Sequence, residues 1–364
     1  MWLEFGLFLL FIAAIPYLIY LLGILFGKKS TAPPRADPLP PISIIISAYN
    51  EAHIIDDRIT NLALSYPRSL YDVIFVDDCS SDQTSRIAEE AFRKEGISFT
   101  IIRNSKRLGT NRSYNLALEI SRNEIIISTD ANKLFEQDAV ILVVSRLLSD
   151  SSIAAVCGDQ RPYPAQYHLR ELEGQYRNFY GRMCDWESAC DSTFNFNGPL
   201  VAFRRSVIPR IEEKRGADDA NTAFAAIRSG FRAFYEIRAA VYETVPSQLG
   251  RQYRQKIRRA TRLLEAIISN LDLVKNDRPF SRFFLPLRTM MFFGTPILFF
   301  TGIGLLVGGI IGLLGSVFGI GLALLSLLIA ICHPFTSAFI LNQWYLLMGL
   351  LHLGKDMKIW ESTS

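Results

Sequence analysis

Between Trp2 and Phe26 nearly every position is Leu, Ile, Phe, Ala or Tyr, and Glu4 is the only charge. At about 1.5 Å per residue the run is long enough to cross a hydrocarbon core, so the pattern predicts a membrane-spanning helix over residues 1–28. A cleaved leader is the alternative. Against it, no basic region precedes the run, the apolar part is too long, and Gly27-Lys28-Lys29 stands where a small-residue cleavage site would be needed. Lys28, Lys29 and Arg35 place the chain beyond this helix in the cytoplasm by the positive-inside rule. Residues 29–41 hold Pro33, Pro34, Pro38, Pro40 and Pro41; each proline fixes φ and removes a backbone donor, so this is a stiff linker rather than helix or central strand.

From Ile42 the pattern changes to short β-rich runs separated by helical segments. Ile42–Ser47, Val73–Val76, Phe99–Arg103, Glu124–Thr129 and Ile153–Cys157 read as strands. Such alternation predicts an α/β domain over 42–280, a mostly parallel sheet wound with crossover helices. A second apolar region fills 281–354: an interfacial helix near Phe283–Phe293, spans over Ile297–Leu314 and Val317–Ile331, and a further apolar helix after Pro334 carrying Asn342, Gln343, Trp344 and Tyr345, which suit a headgroup boundary. That last helix either lies flat, leaving Lys355 and Lys358 of the tail 355–364 in the cytoplasm, or spans and carries them across.

With 49% hydrophobic and 20% charged residues over 364 positions and a mean hydropathy of +0.19, the chain is neither disordered nor a bundle made only of spans. A formal charge of +4 without long Lys/Arg runs excludes a nucleic-acid backbone as partner. Five scattered cysteines without CxxC fit a reducing compartment and no structural zinc.

In a wound parallel sheet, ligands bind beyond the carboxyl ends of the strands. There the chain places Ala48-Tyr49-Asn50-Glu51 after the first strand, Asp77-Asp78-Cys79-Ser80-Ser81-Asp82 after the second and Asp130-Ala131-Asn132 after the fourth. Neither GxGxxG nor GxxxxGK[ST] is present. A nucleotide can still be held by an aromatic ring stacked on its base, a carboxylate accepting a ring N–H, and a metal on its diphosphate.

The ordered set SAYNEA (47–52), VDDCSSD (76–82), STDAN (128–132), NFNGPLVAFRR (195–205), ADDAN (217–221) and QKIRR (255–259) resembles the inverting family-2 glycosyltransferases, in the membrane-embedded branch with cellulose, chitin and hyaluronan synthases. The resemblance runs from about Pro41 to Arg262. It implies a GT-A fold that binds a nucleotide sugar, with one N-terminal and two to three C-terminal transmembrane or interfacial helices. It also implies roles. Tyr49 would stack on the base and Asp78 accept from it, with Glu51 nearby, while Ser80, Ser81 or Asp82 serves as a helix cap. Asp130 and Asn132 occupy the DxD position and would hold Mg2+ or Mn2+ on the donor diphosphate. Asp219, beside Asp218, would be the catalytic base, and both also suit a helix N-terminus. Gln255 and Arg258, with Arg259 beside them, would reach the diphosphate, although the same basic segment suits a helix on anionic lipid. Glu187 and the loop Asn197–Phe203 would line the acceptor side. The histidines, His53, His168 and His333 among them, show no ligand spacing.

Three departures from the family pattern change the expectation. Asn132 offers a neutral oxygen where a carboxylate is usual, so metal binding leans on the nucleotide's own phosphates. Arg259 replaces a Trp credited with stacking on the acceptor sugar, which leaves room for an acidic or lipid-linked acceptor. Arg107-Leu-Gly-Thr110 lacks a Lys after the Gly, and Arg107 or Arg112 would substitute. The expectation is an integral protein of the cell membrane with a cytoplasmic catalytic domain, moving sugar from a UDP-linked donor to a membrane-associated glycan acceptor. Single addition to a polyprenyl phosphate or lipid-linked oligosaccharide is one alternative; a decayed nucleotide-sugar-binding protein is another.

Overall fold

The structure, a computed structural model, describes residues 1–162, 169–196, 199–213, 216–243 and 249–354. His168, Asn197, Lys355 and Lys358 lie outside the described residues. The chain forms two compact units: Met1–Lys28, Ala165–Met183 and Tyr253–Lys355 make one, and Lys29–Pro164, Cys184–Gln252 and Asp356–Ser364 the other.

In the first unit, helix α1 (Trp2–Phe26) and the continuous helix Phe280–Leu314 are both long and apolar enough to cross a membrane. They run antiparallel with little side-chain volume between them, because glycines let the backbones approach. A Cβ on Gly302 would lie 2.9 Å from Leu10 Cγ, one on Gly309 would lie 2.7 Å from Leu3 Cγ, and one on Gly6 would lie 3.0 Å from the Gly302 carbonyl. The expected break between an interfacial helix and the first later span does not occur. Two π turns, Phe280–Phe284 and Met290–Gly294, each lead into a proline, Pro286 or Pro296. The widened turn absorbs the missing amide, so one helix continues through. The apolar helices Ser316–Cys332 and Pro334–Leu351 come next along the chain. Phe5, Phe8, Phe11, Leu313, Val317 and Phe318 are exposed.

The second unit is built on an eight-stranded sheet of order β3-β2-β1-β4-β7-β6-β8-β5. Its strands are β1 (Ile42–Ala48), β2 (Tyr71–Asp77), β3 (Ser98–Arg103), β4 (Ile125–Asp130), β5 (Lys133–Phe135), β6 (Ile153–Pro162), β7 (Val201–Arg204) and β8 (Arg232–Glu243). The first four are parallel neighbours; the runs of β1, β2 and β4 are buried on both faces, as central parallel strands require, while the edge strand β3 stays partly exposed. Beyond β4 the sheet is mixed: β7 pairs antiparallel with β4 and β6, and β5 antiparallel with β8. Helices α2 (Ile55–Ala63), α3 (Thr84–Glu95), α4 (Thr110–Ile120) and α5 (Ala139–Ser149) are the crossovers, each a single amphipathic element between successive strands. Helix α7 (Asp218–Arg228) also belongs to this unit, whereas α6 (Leu169–Cys190) and α8 (Leu249–Ser269) fall mostly in the first.

The proline-rich segment is tied to this sheet unit. Buried Glu236 holds Arg146 at 2.8 Å and Arg238 at 2.7 Å; Arg146 donates on to the Thr31 carbonyl and Arg238 to that of Ser30. The Ala36 amide donates to Ser145 Oγ at 3.0 Å and Tyr66 donates to the Pro40 carbonyl at 2.8 Å. All five cysteines are free thiols.

Candidate active site

The parallel register brings the loops after β1, β2 and β4 to one edge: Ala48 pairs with Asp77, and Ser47 with Asp130. The first two loops lock together. Asn50 and Cys79 adopt left-handed backbone, φ 53° and 65°, a conformation non-glycine residues hold only when the surroundings impose it. Here the Asn50 amide donates to Ser80 Oγ at 3.0 Å, the Ser81 amide to Asn50 Oδ1 at 2.8 Å and the Glu51 amide to Thr84 Oγ1 at 2.8 Å. Among the expected caps, Asp82 accepts the Thr84 amide, at 3.0 Å.

Asp78 is buried and accepts four bonds. Asn104 Nδ2 and the Leu108 amide reach Oδ1 at 2.9 and 2.7 Å, and Arg107 Nε and the Gly109 amide reach Oδ2 at 3.2 and 2.9 Å. Its direct work in this structure is therefore to fold the 104–109 loop. That fold lays the Arg107 guanidinium over the Tyr49 ring, 3.3 Å from the centroid. The sequence picked out Tyr49 and Asp78 and offered Arg107 as one of two substitutes; the geometry joins the three in one aromatic-cation stack.

Around Asp130 a second cluster forms, and much of it was not legible in sequence. Asn132 Nδ2 donates to Glu51 Oε1 at 3.0 Å, and Glu51 Oε2 is enclosed without a hydrogen-bond partner. Burial, then the charge of Asp130, push the Glu51 carboxyl up to about 8, against the opposing pull of Lys133. Beneath the turn lies fully buried Arg58, which donates to the Asp130 carbonyl at 3.3 Å and to Thr129 Oγ1 at 3.1 Å. Burial lowers its pKa to about 9.

Asp218 and Asp219 stand in the first turn of α7, where the helix dipole favours carboxylates; the Ala220 amide donates to Asp219 Oδ1 at 2.7 Å. Tyr114, on α4, connects them to Asp130. Its hydroxyl is buried without a hydrogen-bond partner, and burial, then the charges of Asp130, Asp218 and Asp219, raise its pKa well above the usual phenol value. Three carboxylates from two distant motifs thus act on one phenol.

The remaining expected residues lie on other elements. Glu187 is buried and accepts from Thr193 Oγ1, and Val201, Ala202 and Phe203 are core residues of β7. Gln255, Arg258 and Arg259 lie on α8 and belong to the apolar unit. There Ile257, Ala260 and Leu264 form the buried face and Arg259 is exposed. Among the described residues no group of three or more His, Cys, Asp or Glu could hold a metal by itself. A cation at Asp130 and Asn132 would have one carboxylate and one amide from the protein. That set fits Mg2+ or Mn2+ shared with phosphates and water, since such ions commonly bind through one or two carboxylates plus substrate phosphates.

Residues 43–211 match the profile of glycosyl transferase family 2. The chain carries a family 2 glycosyltransferase domain. Poly-beta-1,6-N-acetyl-D-glucosamine synthase of Staphylococcus aureus (strain COL) is 22% identical to it over 263 residues, 71% of this chain and 62% of that protein. The Staphylococcus epidermidis synthase of the same name is 21% identical over 222 residues, 60% of this chain and 53% of that one. This chain thus spans about 62% or less of the length of the curated relatives it matches. Among solved structures, the mannosyltransferase PcManGT from Pyrobaculum calidifontis in complex with GDP-Man and Mn2+ superposes with a TM-score of 0.83 at 24% identity, covering 98% of this chain and 100% of that one. The likeness shows the fold: the glycosyltransferase domain is GT-A, its mixed sheet being the β4-β7-β6-β8 portion beyond the parallel half.

Proposed function

We propose that this protein is an inverting glycosyltransferase of the cell membrane. Its cytoplasmic domain moves a sugar from a nucleotide-sugar donor to a membrane-associated glycan acceptor. The observation that carries the reading is the shared sheet edge at which the Tyr49–Arg107–Asp78 stack and the Asp130–Asn132 turn held to Glu51 come together, with Asp218 and Asp219 near enough to act with Asp130 on Tyr114.

The donor base enters at the Tyr49 ring, where Arg107 now lies, and a base reaching Asp78 replaces one of the loop's donors. Asp130 and Asn132 would hold Mg2+ or Mn2+ with the diphosphate, and the cation would supply charge neutralisation on the leaving group. Asp219 accepts the proton of the acceptor hydroxyl as that oxygen attacks the anomeric carbon from the face opposite the diphosphate. The new C–O bond forms, the bond to the diphosphate breaks, and the electron pair leaves with the nucleoside diphosphate. Gln255 and Arg258, with Arg259 beside them, keep the diphosphate role that the family pattern gives them. The fold neighbour's GDP-Man and Mn2+ support a guanine donor beside the uridine donor expected from the resemblance. Arg259 favours, as a second reading, single addition to a phosphate-bearing lipid acceptor.

Purified full-length protein offered UDP- and GDP-sugars with Mg2+ or Mn2+ should release nucleotide from one of them. Asp219→Asn should lower that turnover by about 100-fold or more, the usual worth of a general base. Full turnover in the Asn variant would remove Asp219 from the role, and no release from any donor would remove the function.

A further inference from the structure

Arg58 is among the largest fully buried side chains of the molecule, and its three donors point to three different partners. Nε reaches the Asp130 carbonyl at 3.3 Å, Nη2 reaches Thr129 Oγ1 at 3.1 Å, and Nη1 reaches Asn61 Oδ1 at 3.2 Å. Thr129 Oγ1 in turn donates to the Pro199 carbonyl at 2.6 Å. Asn61, three residues further along α2, behaves like a strand partner toward β5: the Phe135 amide donates to its Oδ1 at 2.7 Å and its Nδ2 donates to the Phe135 carbonyl at 2.9 Å. The Phe135 ring closes the contact, 4.0 Å from the guanidinium carbon. One face of α2 therefore grips both ends of the segment 129–135, and Glu51 holds its middle through Asn132.

Stability does not explain this arrangement. A guanidinium enclosed without a directly bonded carboxylate is costly, and an apolar side chain of similar size would serve the core better. Lysine would not serve instead, because an ammonium cannot direct bonds along a planar fork. What the fork fixes is the main chain of Asp130 and the turn after it.

We infer that Arg58 and Asn61 form a positioning clamp that sets the Asp130–Asn132 turn for a divalent cation bound together with a nucleoside diphosphate. The inference rests on the proposed function. It concerns residues that touch neither donor nor cation, so their effect runs through the turn, where outer partners of metal ligands commonly change affinity by about 10–100-fold.

The test titrates Mn2+ into detergent-solubilised full-length protein at saturating UDP or GDP. Free Mn2+ is read by electron paramagnetic resonance, and amide hydrogen exchange over Asp130–Phe135 is monitored in parallel. Arg58→Lys, Arg58→Met and Asn61→Ala should each weaken Mn2+ binding about tenfold and speed exchange in that segment, with metal-free nucleotide binding unchanged. Arg58→Met should stay folded, which separates positioning from loss of structure. Folded variants with wild-type Mn2+ affinity, or full recovery by Arg58→Lys, would overturn the clamp alone. A wild-type protein that takes up no Mn2+ with either nucleotide would overturn the cation site of the proposed function, and the clamp with it.

Discussion

Glu51 shows how a single enclosed carboxyl reports on its neighbours. Its pKa is raised to about 8 by burial and by Asp130, while in the unfolded chain it titrates near the ordinary value of about 4.3. Between those two pH values the unfolded chain has lost the proton and the folded protein keeps it, so stability must fall as pH rises through the window. A displacement of one pKa unit corresponds to about 1.4 kcal/mol, which makes the total loss a few kcal/mol. Denaturant unfolding of metal-free protein should therefore show stability declining from about pH 4.5 to pH 8. Glu51→Gln, which cannot ionise, should flatten that decline; an unchanged pH profile in the variant would place the titration elsewhere. Tyr114 makes a second test at this scale. Its hydroxyl has no hydrogen-bond partner, and removing an unsatisfied buried polar atom from a fixed shape is close to neutral or stabilising. Tyr114→Phe should melt no lower than the parent, and a clear drop in Tm would mean that the hydroxyl is bonded after all.

Among the elements, the pairing of α1 with Phe280–Leu314 depends on surfaces without side chains. Gly302 faces Leu10 and the Gly6 carbonyl, at 2.9 and 3.1 Å from where a Cβ would stand. Gly302→Val has no room unless the helices part, and overpacking of this kind costs about 1–3 kcal/mol. The expected result is a lower melting temperature in detergent, while Gly304→Val, where a Cβ meets nothing within 4 Å, leaves it unchanged. Equal effects from both would argue that helix propensity rather than packing is at work.

For the molecule as a whole, exposed Phe, Leu and Val on the helices of one unit support the proposed membrane placement, which extraction tests. The chain should remain in the pellet when membranes are washed with alkaline carbonate, which strips proteins held only by charge. Release into the supernatant would contradict the spanning reading. On the proposed reading Asp130 and Asn132 are the cation's ligands among the described residues, and the nucleotide's phosphates complete the site. Cation and donor should then bind as one unit.

What the sequence determined by itself is what depends on local order. Apolar runs long enough for lipid, the proline segment, and β-branched runs each ending in polar residues all arise from hydrophobicity and backbone preference over a few neighbouring positions. They located Tyr49, Asp78 and Asp130 at the strand ends, while Asp219, in the first turn of α7, came from the family resemblance. Other features needed the chain to be closed on itself. Arg58 reads in sequence as an ordinary charge on a helix, and only packing against β4 and β5 makes it a buried fork. Glu51 becomes a weak acid through burial first and then the charge of Asp130, 79 residues away, while the Asn132 hydrogen bond pulls the other way. The strands β5, β7 and β8 were not foreseen for the same reason. Each takes its place from antiparallel or long-range partners, and the free energy that fixes them lies in contacts between segments distant along the chain.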